Sequence, residues 1–172
     1  LFFKGQGWRM AGPGEPVRVR RDSGWNVPEP ELAVVFTRTL EIVGYTVGND
    51  VSSRDIEGEN PLYLPQAKIY DGAGALGPGI VIVERPEDLG GIRIALEIRR
   101  GSSVVFAGET TTDQMKRRPE ELVSWLGKEL SFPFGGVLMT GTGIVPPDAF
   151  SLRPGDRVVI RVGELVLENP VS

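Results

Sequence analysis

The sequence predicts a mainly β chain with one or two helices (α+β), and three observations carry that expectation. Short apolar runs of β character recur along the 172 residues, and 23 Gly and 14 Pro are scattered between them as turn punctuation. Only one segment has helical periodicity. Residues 17–20 alternate, 32–36 form a compact apolar run, and 42–51, 79–84, 103–107 and 158–162 are of the same kind. Ile92, Ile94, Leu96 and Ile98 alternate with other residues, the pattern of a half-buried strand. The helix is placed by Pro119 at a first-turn position, with Glu120 and Glu121 near the positive end of its dipole. Leu122, Trp125, Leu126 and Leu130 then follow at helical spacing, so this helix is expected to lie across a sheet. No internal repeat or low-complexity tract interrupts the series.

Composition narrows the chemistry. Apolar residues make up 40% of the chain, ordinary for a folded domain, and the net charge of −4 offers no basic surface for nucleic acid or an anionic membrane. No apolar run approaches the ~20 residues of a membrane span, and cytoplasmic residence is the default. There is no Cys, hence no disulfide, thiolate zinc site or cysteine nucleophile. There is no His either, which removes the commonest general base and the Ser-His-Asp triad. What remains is carboxylates, Lys, Arg, Tyr, hydroxyls, or a hard metal held by oxygen. The chain opens on Leu1 and runs into LFFKGQG, which reads as a piece of a longer protein.

Glu29 and Glu31 flank Pro30 at the start of an apolar run. In a strand, residues i and i+2 share a face, so both carboxylates project together, and Ala33 and Val35 are expected to continue that face into the interior. Two like charges on a buried face need a cation; a solvated strand entrance is the alternative. Pro30 costs no hydrogen bond if it lies at an edge or rim. Asn49 and Asp50 end a β run further on. Asp50 can supply a third carboxylate, suiting Mg²⁺ better than zinc, or the pair can form an ordinary turn.

Four blocks in order, VPEPELAVVF, GYTVGNDVSSRDIE, YLPQAKIYDGAGALGPGIVI and VLMTGTG, resemble the catalytic domain of the fumarylacetoacetate hydrolase superfamily, over about residues 2–171. The resemblance implies a mixed β-sandwich roll, a homodimer or homotetramer, and a divalent metal held by Glu29, Glu31 and Asp50. That metal is expected to be Mg²⁺, with Mn²⁺ or Ca²⁺ as substitutes. Residues 1–172 are then a single catalytic domain that lacks an N-terminal segment, where an acidic catalytic group can lie. IEGENPLYLPQAK is similar to the sugar-acid branch, the 2-keto-3-deoxy-D-arabinonate dehydratases. This implies a small 2-oxo acid substrate and loss of water from a 2-oxo-3-deoxy sugar acid. The family's C–C hydrolases typically use a His-Glu pair, and this chain has no His; a hydrolase of acylpyruvates, a decarboxylase or a tautomerase remains as an alternative, and a non-catalytic β-rich binding module stands outside the class.

Lys68 occupies the family's lysine position and is expected to contact the 2-oxo acid or move a proton. Thr142 and Gly141 in TGTG match the region of the substrate carboxylate, where glycine lets backbone N–H groups approach an anion. Gln66 is a weaker substrate contact, and Arg54 is expected to support Asp50. Residues 58–64 form either a lid or a long loop. Phe2, Phe3, Trp8 and Trp25 are expected in core or subunit packing. Gly12, Pro13 and Gly14 read as a turn.

Overall fold

The computed structural model describes residues 1–172, apart from the side chain of Pro86. Twelve strands and three short α-helices follow one another. In chain order the strands are β1 (Met10–Ala11), β2 (Asn26–Val27), β3 (Pro30–Phe36), β4 (Ile42–Asp50), β5 (Ser52–Ser53), β6 (Gly74–Leu76), β7 (Val81–Ile82), β8 (Arg93–Arg100), β9 (Ser103–Thr111), β10 (Gly136–Met139), β11 (Asp156–Val162) and β12 (Leu165–Pro170). The helices are α1 (Arg54–Glu59), α2 (Leu64–Lys68) and α3 (Pro119–Leu126). The mainly β expectation holds, with three helices instead of one or two.

Two sheets carry the fold. One has six strands in the order β1-β6-β4-β3-β10, with β7 beside β6 along the same edge of β4. It is mixed, because β1 runs parallel to β6 while the other pairs are antiparallel. The second is an antiparallel sheet ordered β12-β11-β8-β9. Its tight hairpins turn on Gly101 at φ 60° and Gly163 at φ 58°, a left-handed backbone that a side chain would oppose. Sequence alternation decides what each sheet buries. Leu32, Val34, Phe36, Tyr45 and Val47 from the first meet Ile94, Leu96, Ile98, Val158, Ile160, Val162 and Leu167 from the second in one core.

That packing reverses one expectation. Glu31, Ala33 and Val35 do share a face, but the core takes the opposite one, Leu32, Val34 and Phe36. The bulkier set buries more apolar area and wins the interior. The carboxylates therefore sit on the side of the six-stranded sheet away from the sandwich. Pro30 stands opposite Asn49 on β4, and β10 reaches only as far as Ala33, so the sheet asks no hydrogen bond of the proline.

Other expectations shift locally. Residues 17–20 form only a single bridge, Val17 to Val171, and within 79–84 only Val81–Ile82 pairs. Helix α3 starts at Pro119 and buries Val123, with Leu122 and Leu126 packed against the core. Trp125 turns outward with Lys128 over its ring, and exposed Leu130 lies beyond the helix end. Phe2, Phe3 and Trp8 are exposed, so the core reading fails for them; Trp25 alone is half-buried. Residues 12–14 do form the expected turn. None of the helices is long and apolar enough to cross a membrane.

A half-buried ion pair, with the carboxylate side enclosed, pins the second sheet to the loop before β11. Asp156 accepts Arg100 Nε and Nη2 at 2.7 and 2.8 Å and the Arg153 N–H at 2.9 Å. Burial works against its charge, but these donors outweigh it and hold the carboxyl below its ordinary 3.8. The stability it contributes is present above that value and is lost as pH falls through the folded-state pKa. Asp156→Asn is expected to cost about 1–3 kcal/mol at pH 7. The gap from the parent should narrow steadily below pH 3.8, as read by urea unfolding across that range.

Candidate metal and acid site

The site forms where two strands end. The backbones of Glu29 and Asp50 exchange both hydrogen bonds, Asp50 N–H to Glu29 O at 3.0 Å and Glu29 N–H to Asp50 O at 3.2 Å. This extends the β3–β4 ladder by one pair and sets Glu29 beside Asp50. Two residues along, Glu31 stands opposite Gly48, whose missing side chain leaves room for Met139. The three carboxylates are all buried, and one oxygen from each lies within 4.8 Å of the others. Asn49 and Asp50 therefore belong to a strand and not to a turn. The amide of Asn49 faces the other way, fully buried, and neither of its polar atoms has a partner.

Cations converge on this cluster from three segments. A chain reversal through α1 and α2 brings back Lys68, whose buried ammonium donates to Glu29 Oε2 at 2.9 Å and Asp50 Oδ2 at 3.2 Å. Glu57 of α1 lies 3.8 Å from the same nitrogen. Arg54 reaches Glu29 Oε1 at 3.4 Å and Glu57 at 4.0 Å, so it supports Glu29 and not Asp50 as its position beside the NDVSS run suggested. The third cation was not foreseen. Lys4 forms an ion pair with Asp50 Oδ1 at 2.5 Å, and its ammonium donates to the backbone oxygens of Val51 and Lys68 at 3.1 and 2.5 Å. No sequence signal marks it, because its partner is 46 positions away and meets it only in the folded chain.

The remaining site residues separate. The Gly141 N–H donates to Glu31 Oε2 at 2.5 Å, with Gly141 at φ 92° aiming the amide inward. Thr142 is half-buried, and its hydroxyl accepts the Ile144 N–H at 3.2 Å, closing its own turn. Gln66 is exposed, and only its backbone oxygen is engaged, by Arg20 at 3.0 Å. Residues 58–64 are the end of α1, a short 3-10 turn at Pro61–Tyr63 and the start of α2, with Leu62 and Tyr63 exposed.

The electrostatics follow from burial. Desolvation raises Glu31 most, Asp50 adds repulsion, and the Gly141 N–H only partly offsets both, so this carboxyl is pushed up to about 8. Burial also works against the charge of Lys68, but Asp50 and Glu29 outweigh it and hold the ammonium above its ordinary value. For Lys4 burial prevails over Asp50, and its pKa is lowered. Four acids (Glu29, Glu31, Asp50, Glu57) thus face three bases (Lys4, Lys68, Arg54), one positive charge short of balance. An all-oxygen set with a carboxyl held neutral for want of positive charge fits a hard divalent cation.

Comparison with known proteins gives the same direction. The model of the family described as fumarylacetoacetate (FAA) hydrolase C-terminal matches residues 1–172. A probable 2-keto-3-deoxyxylonate dehydratase of Haloferax volcanii is 47% identical over 173 residues, covering 100% of this chain and 60% of the relative. The 2-dehydro-3-deoxy-D-arabinonate dehydratase of Saccharolobus solfataricus is 44% identical, covering 100% and 58%. A solved structure of 2-keto-3-deoxy-D-arabinonate dehydratase complexed with magnesium and 2,5-dioxopentanoate superposes with a TM-score of 0.90 at 44% identity, over 95% of this chain and 59% of that one. The chain thus spans about 60% of the length of these curated relatives.

A consequence can be measured without any substrate. Below pH 4.5 Glu31 is protonated in folded and unfolded chains alike; between 4.5 and about 8 only the unfolded chain releases the proton. The metal-free parent should therefore lose stability relative to Glu31→Gln as pH rises through that interval, and the difference should level off above about 8. Thermal unfolding of both proteins in a chelator, across the interval, checks it.

Proposed function

Since the chain belongs to the fumarylacetoacetate hydrolase family, we propose that it is the catalytic part of a magnesium-dependent enzyme that removes water from a 2-oxo-3-deoxy sugar acid. One observation carries the reading: a buried Glu29–Glu31–Asp50 cluster with Lys68 against it, in a chain 44% identical to a dehydratase of this substrate class. Residues 1–172 act in this reading as a single catalytic unit. A cytoplasmic setting is part of the same proposal, supported by a chain in which no cysteine requires an oxidising compartment.

Glu29, Glu31 and Asp50 would hold the ion. When bound, Mg²⁺ supplies Lewis acidity that polarises the substrate's 2-oxo group and makes its C3 proton easier to remove. The protein's own residues supply charge, a proton at Lys68 and cover for the site. With Glu31 ionised beside a bound divalent ion, four acids and three bases would leave the site one net positive, the sign that draws in an anionic 2-oxo acid. Lys68 keeps its proton at Nζ, where it can pair with the incoming acid or pass that proton on. Gly141 and Thr142, on the loop that already touches Glu31, lie at the rim where a substrate carboxylate would meet backbone N–H groups. Phe2, with its ring centroid 6.0 Å from Lys68 Nζ, and the exposed Leu62 and Tyr63 offer apolar cover over the opening. The absence of His supports elimination over hydrolysis, since the C–C hydrolases of the family typically activate water with a His-Glu pair.

The exposed Ile80, Ile82 and Val137, all on the six-stranded sheet or its border, support self-association as a homodimer or homotetramer. Light scattering should then give a mass of two or four chains.

The reaction type is tested by mass. Given Mg²⁺ and a mixture of a 2-oxo-3-deoxy pentonate and an acylpyruvate, the full-length protein should yield one product lighter than the pentonate by a water. Pyruvate and a free acid, with the pentonate intact, would replace the dehydratase by a C–C hydrolase. Lys68→Ala should abolish turnover while Mg²⁺ still raises Tm, because the lysine is not a ligand. Glu31→Gln should remove most of that metal-induced rise.

A further inference from the structure

Each carboxylate of the cluster has two oxygens, and the protein meets one of them in Glu31 and both in Glu29 and Asp50. Glu31 gives Oε2 to the Gly141 N–H at 2.5 Å. Glu29 gives Oε2 to Lys68 at 2.9 Å, with Arg54 3.4 Å from Oε1. Asp50 faces Lys4 through Oδ1 at 2.5 Å and Lys68 through Oδ2 at 3.2 Å. The Lys68 ammonium is met by side chains alone, the carboxylates of Glu29, Asp50 and Glu57. Lys4 is different: its ammonium is anchored to the backbone oxygens of Val51 and Lys68, and both its side chain and that of Asp50 are about nine-tenths buried or more.

Divalent ions differ in what they ask of a carboxylate. Mg²⁺ binds six oxygens in near-ideal octahedral geometry at about 2.0–2.1 Å and takes carboxylates through one oxygen. Ca²⁺ is larger, takes about six to eight oxygens at about 2.3–2.6 Å, and often claims both oxygens of a carboxylate. To chelate through both oxygens of Asp50, an ion would have to displace a buried ammonium whose ion pair is with that carboxylate and which two backbone oxygens hold in place, and then stand against it.

We propose that Lys4 is a specificity-determining residue of this cation site: by occupying Oδ1 it keeps Asp50 a one-oxygen ligand and selects Mg²⁺ over Ca²⁺. The proposal rests on the metal site of the preceding reading. It gives the N-terminal LFFKG segment a chemical role at the metal, acting through Asp50 and without touching substrate. The Gly141 N–H imposes the same restriction on Glu31, but as a backbone group it cannot be removed by substitution. Lys4 can.

Calorimetric titration of the chelator-stripped protein with Mg²⁺ and with Ca²⁺, without substrate, tests it. Lys4→Met keeps the length and apolar stem of the side chain and frees Oδ1; Lys4→Arg restores a cation. The Mg²⁺-to-Ca²⁺ affinity ratio should fall by about tenfold or more in Lys4→Met and stay near the parent's in Lys4→Arg. A residue that merely staples the segment down would weaken both ions alike, and an unchanged ratio in Lys4→Met would overturn the proposal. Should Lys4→Met not fold, infrared spectra of the parent decide. A wide separation of the two carboxylate stretches with both ions supports one-oxygen ligation, and a narrowed, chelating pair of bands with Ca²⁺ overturns it. A parent that binds neither ion removes the metal-site reading and this proposal with it, whereas binding of both with an unchanged ratio removes this proposal alone.

Discussion

The rest of the site depends on one constraint: three carboxylates are buried beside one another at the ends of β3 and β4, where their charge has to be met from within the protein. Segments far apart in sequence converge to meet it. Lys4 comes from the N-terminal stretch, Arg54 and Lys68 from the excursion after β5, and the Gly141 amide from the loop after β10. Helices of six and five residues are too short to be stable by themselves. Here α1 and α2 are held by the ions they present, Arg54 and Glu57 from one and Lys68 from the other. The sandwich core supplies stability on one face of the six-stranded sheet, and charge organises the opposite face.

How much of this was legible follows the period of each segment. β3, β4, β8 and β11 announce themselves by alternation or compact apolar runs, because each buries at least one face along several residues, and β9 half-buries one. β10 is four residues led by glycine, and β12 ends in Glu168, Asn169 and Pro170, with Asn169 buried to bind the Gly12 and Glu15 oxygens. Neither gives a pattern long enough to read. Residues 17–20 show the converse: they alternate, but their partner is a single bridge to Val171.

The site was legible where it is local. The i, i+2 spacing puts Glu29 and Glu31 on one face, and an aspartate ending a neighbouring run is a natural third. The spacing does not say which face is interior; comparing the bulk of Leu32, Val34 and Phe36 with Glu31, Ala33 and Val35 would have. Lys4 was out of reach because its partner, Asp50, is brought to it only by tertiary packing. Gln66 shows that nearness in sequence is not nearness in space: two residues from Lys68 on a five-residue helix, it points to solvent while the lysine is buried.

The stretch after Lys4 is laced to the last strand. Gly14 donates to Glu168, Val17 to Pro170, Val19 to Ser172, and Ser172 back to Val17, at 2.8–3.1 Å. A ribosome delivers those two stretches at opposite ends of the synthesis of this region. Residues 14–19 can thus take their final place only after residues 168–172 have emerged. Lys4 needs none of that strand: its partners Asp50, Val51 and Lys68, and the β6 that pairs with β1, are all made earlier. The acidic cluster can therefore acquire its cations while the lacing of the N-terminal stretch to the last strand is still to come.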